Sequence, residues 1–285
     1  MAEFCDLHTH SVFSDGTFTP SEIIDEALAL GLGAVALTDH NTIGGLCEFT
    51  KYAEGKNITA VPGIEFSTSY GKKELHILAL FVKPESYGEI KALTDGVNRL
   101  KEQSNLNLVS ALAKDGYIID YEKVKSSTPG GQVNRAHIGA ELMACGYVSS
   151  IEEAFKTLLS PKGKYYVPPK RLTSFETVAF IRSVGAVPIL AHPFLNLNEE
   201  ELRAFLPEAK KYGLMGMETV YSKYSAEEEK LARAIAEEYG LLESGGSDFH
   251  GTNKPTISLG SGTGNLRVPM EFYSKCKMQS AKCKI

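Results

Sequence analysis

The sequence predicts an α/β protein built as a closed or nearly closed β/α barrel, and three observations carry that prediction. Short, almost wholly apolar runs such as "AVALT" and "AVPIL" alternate with amphipathic segments bounded by helix start and stop signals. Runs that are apolar on both faces suit strands covered by helices on either side. Six of the seven histidines fall on these runs or just beyond them, mostly at the carboxyl ends, where β/α barrels assemble their sites.

The first strand is "FCDLHTH". The helix after it is announced by a capping box, Thr19 with Glu22, by Pro20 at the first helical position, by apolar Ile23, Ala27 and Leu30, and by Gly31 as a stop. "AVALT" is the second strand, and a helical "TIGGLCEFTKYAEG" leads into the third, "NITAVPGIEFS". "ELHILALFV" is the fourth. Helical "SFETVAFIRSVG", "NEEELRAFLPEAKKYG" and "SAEEEKLARAIAEEYG" precede "AVPILAHP", "LMGMETV" and "LLESGGSDFHG", which makes seven strands, mostly joined by helical crossovers. Between Val82 and Ala186 about a hundred residues intervene, far more than one crossover requires. They read as helices separated by turn-rich "SSTPGGQ" and "SPKGKYYVPPK". We therefore expect a barrel over residues 1–95 and 172–272, a helical insertion over the barrel mouth at 96–171, and a flexible lysine-rich tail at 273–285.

Composition narrows the function. With 285 residues, 43% hydrophobic and 23% charged, the chain is long enough for one large core. Its net charge of -5 leaves no basic excess for holding duplex nucleic acid, so any phosphate must be gripped locally. Five scattered cysteines without a C-x-x-C pair indicate neither a disulfide framework nor a thiolate zinc site. No leader and no membrane-length apolar run are evident. A soluble cytoplasmic protein without an obligate protein partner is expected.

On this scaffold the polar residues gather. His8 and His10 close the first strand, Asp15 follows, His40 comes after the second strand, and Glu65 ends the third. His76 lies in the fourth, His192 ends the fifth, and Asp248 and His250 follow the seventh. One divalent ion needs three or four protein ligands, so this set points to two or three ions with a carboxylate bridging. Mixed nitrogen and oxygen donors suit zinc, manganese or iron, whereas calcium would take oxygen alone. Asp39 reads as a partner orienting an imidazole rather than as a ligand. The glycine-rich stretches Gly130 to Gln132 and Gly260 to Asn265 lack P-loop spacing and read as turns. Ser247, Asp248 and His250 lack the elbow of a serine hydrolase.

In order along the chain, "DLHTHSVFSDG", "ALTDHNTIGGL", "VPGIEFS", "LHIL", "ILAHP" and "GSDFHG" resemble the successive motifs of the PHP (polymerase and histidinol phosphatase) superfamily of metal-dependent phosphoesterases. The resemblance implies a distorted (β/α)7 barrel and three metal sites: His8, His10, Glu65 and Asp248; Glu65, His76 and His192; Asp15, His40 and His250. Glu65 would bridge the first two. Aspartate at position 15, where some branches carry histidine, implies the stand-alone phosphatases of small phosphorylated molecules. "NRAHIG" resembles the segment that presents an arginine to substrate phosphate, which implies Arg135 as anchor. His137 is either a second phosphate contact or a helix cap, and Lys162 and Lys164 are further candidate contacts. His192, Asp248 and Arg135 would carry catalysis. The implied substrates are nucleoside 3',5'-bisphosphates or short oligonucleotides, with a ribose 1,2-cyclic phosphate and histidinol phosphate as alternatives. An amidohydrolase and a non-catalytic metal-dependent nucleotide-binding protein are the readings of other kinds.

Overall fold

The structure, a computed structural model, describes residues 2–128 and 133–282. The turn expected at Gly130 to Gln132 lies outside the described residues. The chain divides into two compact units, Met1–Lys91 with Arg171–Ile285, and Ala92–Lys170.

The first unit holds one eight-stranded sheet in the order β7-β6-β5-β4-β3-β2-β1-β8. Its strands are β1 (Phe4–Asp6), β2 (Ala34–Leu37), β3 (Thr59–Tyr70), β4 (Lys73–Leu80), β5 (Val187–Leu190), β6 (Gly216–Tyr221), β7 (Leu242–Gly246) and β8 (Val268–Pro269). The sheet nearly closes on itself. β8 pairs antiparallel with the start of β1, and past Asp6 the chain bonds to the end of β7, Leu7 N–H to Gly245 O at 3.1 Å and His10 N–H to Phe249 O at 2.9 Å. Gly246 permits this approach, since an added Cβ would lie 2.4 Å from the Cβ of His8.

All seven expected strands are present, and two features differ from a uniform β/α alternation. β3 and β4 form an antiparallel hairpin, Tyr70 opposite Lys73, with only Gly71 and Lys72 between them and Gly71 at φ 58°. A two-residue loop with glycine first turns the chain back at once, so β4 runs against its neighbours on both sides. The amino half of β4 therefore lies beside the carboxyl half of β3, with His76 opposite Ser67. The second feature is the short β8.

The crossover helices are α1 (Pro20–Ala29), α2 (Leu46–Ala53), α7 (Ser174–Ser183), α8 (Glu199–Lys211) and α9 (Ala226–Glu238). Capping boxes start four of them, at Thr19, Thr173, Asn198 and Ser225, each closed by the glutamate three residues on. β2, β5 and β6 are buried along their whole length. The core gathers Leu7, Ala36, Leu78, Leu80, Val187 and Ile189.

The expected tail from residue 273 is corrected. Met270–Ser280 is a helix, and Phe272, Tyr273 and Cys276 join the barrel core. Their spacing puts three apolar groups on one helical face, while the lysines occupy the other positions.

The second unit contains most of the long α3 (Tyr87–Lys114), then α4 (Tyr121–Ser127), α5 (Arg135–Ala144) and α6 (Ile151–Thr157). It has its own core, including Leu108, Leu112, Ile138, Leu142 and Leu159. Among the described residues no helix is long and apolar enough to cross a membrane.

Candidate metal centre

Glu65 is the hub. Fully buried on β3, it turns its two oxygens to different sets of imidazoles. Oε2 lies 3.3 Å from His8 Nε2, 3.2 Å from His10 Nε2 and 3.0 Å from His40 Nδ1. Oε1 lies 2.8 Å from His76 Nδ1 and 3.1 Å from His192 Nε2. The reversed direction of β4 is what brings His76 to this end of the barrel.

Asp248 Oδ1 is 3.2 Å from His10 Nε2 and 3.7 Å from His8 Nε2. Asp15 Oδ1 is 3.3 Å from His250 Nε2, and Asp15 Oδ2 is 3.8 Å from His40 Nε2. Gly16 lets the Asp15 loop fold back so tightly, because an added Cβ would lie 2.2 Å from the carbonyl oxygen of His10. The nine residues singled out from the sequence thus come together. The donor atoms of seven of them form three overlapping groups, His8, His10 and Glu65; His40, Glu65 and His76; and His10, Asp15, His40 and His250, while His192 and Asp248 flank these groups through Glu65 and through His8 and His10.

A divalent ion fits this arrangement better than hydrogen bonding does. Glu65 Oε2 is buried and has no hydrogen-bond partner among the described residues, although an unmet carboxylate oxygen is costly. His8 Nε2 and His10 Nε2 face each other at 3.1 Å. Atoms crowded in this way around an acceptor are what a shared cation would satisfy.

The charges follow from the crowding. Burial opposes ionisation of Glu65, but the imidazoles of His40, His76 and His8 outweigh it and hold the carboxyl well below the usual range. Burial likewise disfavours charge on His10 and His76, yet the neighbouring carboxylates of Asp248 and Glu65 lift His10 to about 9, and those of Glu65 and Glu74 lift His76 to about 10. Burial wins at His40, which is pushed down to about 3.

Several supporting residues escaped the sequence reading. Glu218, buried on β6, accepts from His8 Nδ1 at 2.9 Å and from the backbone N–H of His192 at 2.6 Å. This fixes the tautomer of His8 so that Nε2 faces the cluster. Its only signal was an acidic residue in an otherwise apolar strand. Tyr221 and Lys254 both donate to Asp248 Oδ2. Asp39 does not touch an imidazole directly; it accepts from Ser11 and Ser14, and the Ser14 hydroxyl lies 3.5 Å from His10 Nδ1.

The candidate phosphate contacts lie in the second unit. Arg135 opens α5, donates to Leu159 O at 3.1 Å and lies over Tyr166 at 4.3 Å and Phe155 at 5.2 Å. His137 caps that helix, its Nδ1 accepting from the Asn134 N–H at 3.2 Å. Lys164 pairs with Asp115 beside Tyr165. Lys162 is exposed, and its backbone N–H donates to the Ser160 hydroxyl.

Comparison with known proteins fits this geometry. Residues 6–117 match the PHP domain. A 5'-3' exoribonuclease of Haemophilus influenzae is 30% identical over 88% of this chain and 91% of its own length. The chain belongs to the PHP family. A 3',5'-nucleoside bisphosphate phosphatase of Chromobacterium violaceum is 28% identical over 86% of each chain. A solved structure from Bifidobacterium adolescentis, named for a metal-dependent phosphoesterase, superposes with a TM-score of 0.84 and 29% identity, covering 98% of this chain and 97% of that one. This PHP protein is accordingly a metal-dependent phosphoesterase with a distorted barrel of the family's type.

Proposed function

We propose that this chain hydrolyses the phosphate ester of a small nucleotide, removing the 3'-phosphate of nucleoside 3',5'-bisphosphates or shortening oligonucleotides from the 5' end, at a centre of three divalent ions. The observation that carries the reading is the division of Glu65 between two sets of imidazoles. A third set, His10, Asp15, His40 and His250, shares His10 with the first. Manganese, zinc and iron suit these donors, and aspartate at position 15 favours the harder ions there.

When bound, such ions lower the pKa of a coordinated water and offset the charge on the phosphoryl oxygens. The residues hold that chemistry in place. Glu65 spans the first two sets, Glu218 keeps His8 Nε2 turned inward, and Asp248 supplies a carboxylate oxygen between His8 and His10. Arg135, its guanidinium lying over two aromatic rings, has the flat donor fork that phosphate oxygens match. The nucleotide substrate is favoured by the activities for which the Haemophilus and Chromobacterium relatives are named.

The test is phosphate release by protein reconstituted separately with manganese and zinc. Substrates would be adenosine 3',5'-bisphosphate, ribose 5-phosphate 1,2-cyclic phosphate and histidinol phosphate. AMP formed from the bisphosphate faster than product from the other two supports the proposal. Preference for the cyclic ester or for histidinol phosphate refutes it.

A further inference from the structure

Asp248 uses its two oxygens differently. Oδ1 faces the imidazoles, 3.2 Å from His10 Nε2, 3.5 Å from His250 Nδ1 and 3.7 Å from His8 Nε2. Oδ2 faces away from them and receives two hydrogen bonds, each 2.8 Å, from the Tyr221 hydroxyl and the Lys254 ammonium. Those two donors occupy the lone-pair directions of Oδ2.

The backbone adds to the restraint. Asp248 sits at φ 56°, a conformation uncommon outside glycine, and its N–H donates to His8 O at 2.9 Å. Main chain and outer oxygen are both anchored, which leaves the carboxylate little room to rotate.

An aspartate can hold an ion through one oxygen or chelate it through both, and chelation consumes a second coordination position. Catalytic metal sites keep a position open for water or substrate. We propose that Tyr221 and Lys254 are positioning residues that confine Asp248 to one-oxygen ligation and so keep a coordination position open in the centre. The inference rests on the reading of the cluster as a metal centre. Neither residue needs to touch substrate for it. Lys254 follows the short turn Gly251–Asn253 and its side chain is 32% exposed, so it contributes little to the core.

Tyr221→Phe, Lys254→Met and the double variant, each made in the full chain and loaded with cobalt(II), test the idea. In the double variant Oδ2 is released to chelate. Cobalt is then bound at least as tightly as in the unaltered protein. The visible absorption per bound ion falls, as it does when coordination number rises. Turnover of adenosine 3',5'-bisphosphate drops by about 10- to 100-fold in kcat, with KM little changed, whereas Lys254→Arg alone, which keeps a charged donor for Oδ2, retains both the spectrum and the turnover of the unaltered protein. A purely structural role would instead lower cobalt affinity and leave the spectrum of the bound ion as it was. Either of those results overturns the inference. An unaltered protein that binds no cobalt overturns the metal reading and this inference with it. An unaltered protein that binds cobalt but does not cleave the bisphosphate counts against the substrate alone, and the spectra still decide the role of Tyr221 and Lys254.

Discussion

Replacing Glu218 by glutamine isolates what one buried carboxylate does for the centre. Oε1 accepts from His8 Nδ1 at 2.9 Å and Oε2 accepts from the backbone N–H of His192 at 2.6 Å. A glutamine of the same shape offers one acceptor and one donor. The His192 N–H is a fixed donor, so the amide oxygen has to face it and the amide NH2 has to face His8. Nδ1 of His8 then becomes an acceptor, and the ring proton moves to Nε2, the nitrogen that points at Glu65 and Asp248. A protonated Nε2 cannot ligate. Loss of such an orienting partner costs about 10- to 100-fold in metal affinity, which is about 1.4–2.7 kcal/mol. Competition of the variant against a chelator measures the affinity, and nitrogen-15 spectra of the histidines report the tautomer of His8. Unchanged affinity together with an unchanged tautomer would refute the reasoning.

Other consequences are as direct. His10 belongs to two of the three donor groups, so His10→Ala should lose metal and turnover while keeping its circular dichroism spectrum; wild-type metal content in that variant would count against the assignment. Arg135→Ala should keep its metal and raise KM or lower kcat, and loss of metal would contradict a role in binding phosphate. In the metal-free protein His10 at about 9 and His76 at about 10 hold protons at pH 7.5. Because a ligating nitrogen must be bare, metal loading should release protons and affinity should rise from pH 7 to pH 9; calorimetry in buffers of different ionisation enthalpy would detect a flat profile if the idea is wrong. Phe272→Ala should destabilise the barrel by about 3–5 kcal/mol in urea unfolding, since Phe272 packs in the core rather than in a tail, and a loss under about 1 kcal/mol would disprove that.

Where the sequence was informative, the reason is periodicity or spacing. Runs such as Ala34 to Leu37 and Val187 to Leu190 are apolar on both faces because both faces are covered, and the capping box at Thr19 marks a helix start in four residues. Six of the nine donors were visible because histidines on or just beyond strands are conspicuous, and the three carboxylates stood out beside them. Direction is harder to read than existence. The hairpin at Gly71 and Lys72 that reverses β4 emerges only from the structure, because an apolar run looks the same whichever way it points. Glu218 stayed hidden because one acid in "GMETVY" has no periodic signature, and only the fold shows that His8 lies beside it. At the carboxyl end the lysines masked a helical face of Phe272, Tyr273 and Cys276.

The supporting residues tie the donor sets together. Glu65 joins them openly, Oε2 serving His8 and His10 and Oε1 serving His76 and His192. Glu218 joins the same two sets from beneath, since one oxygen orients His8 and the other holds the backbone of His192. That backbone sits at φ 28°, a conformation that costs about 1–3 kcal/mol and persists only where its surroundings enforce it. The bond from Glu218 is part of that enforcement. Glu218 thus links the backbone of His192 to the ring of His8, and the two sets of imidazoles share Glu65 on one side and Glu218 on the other.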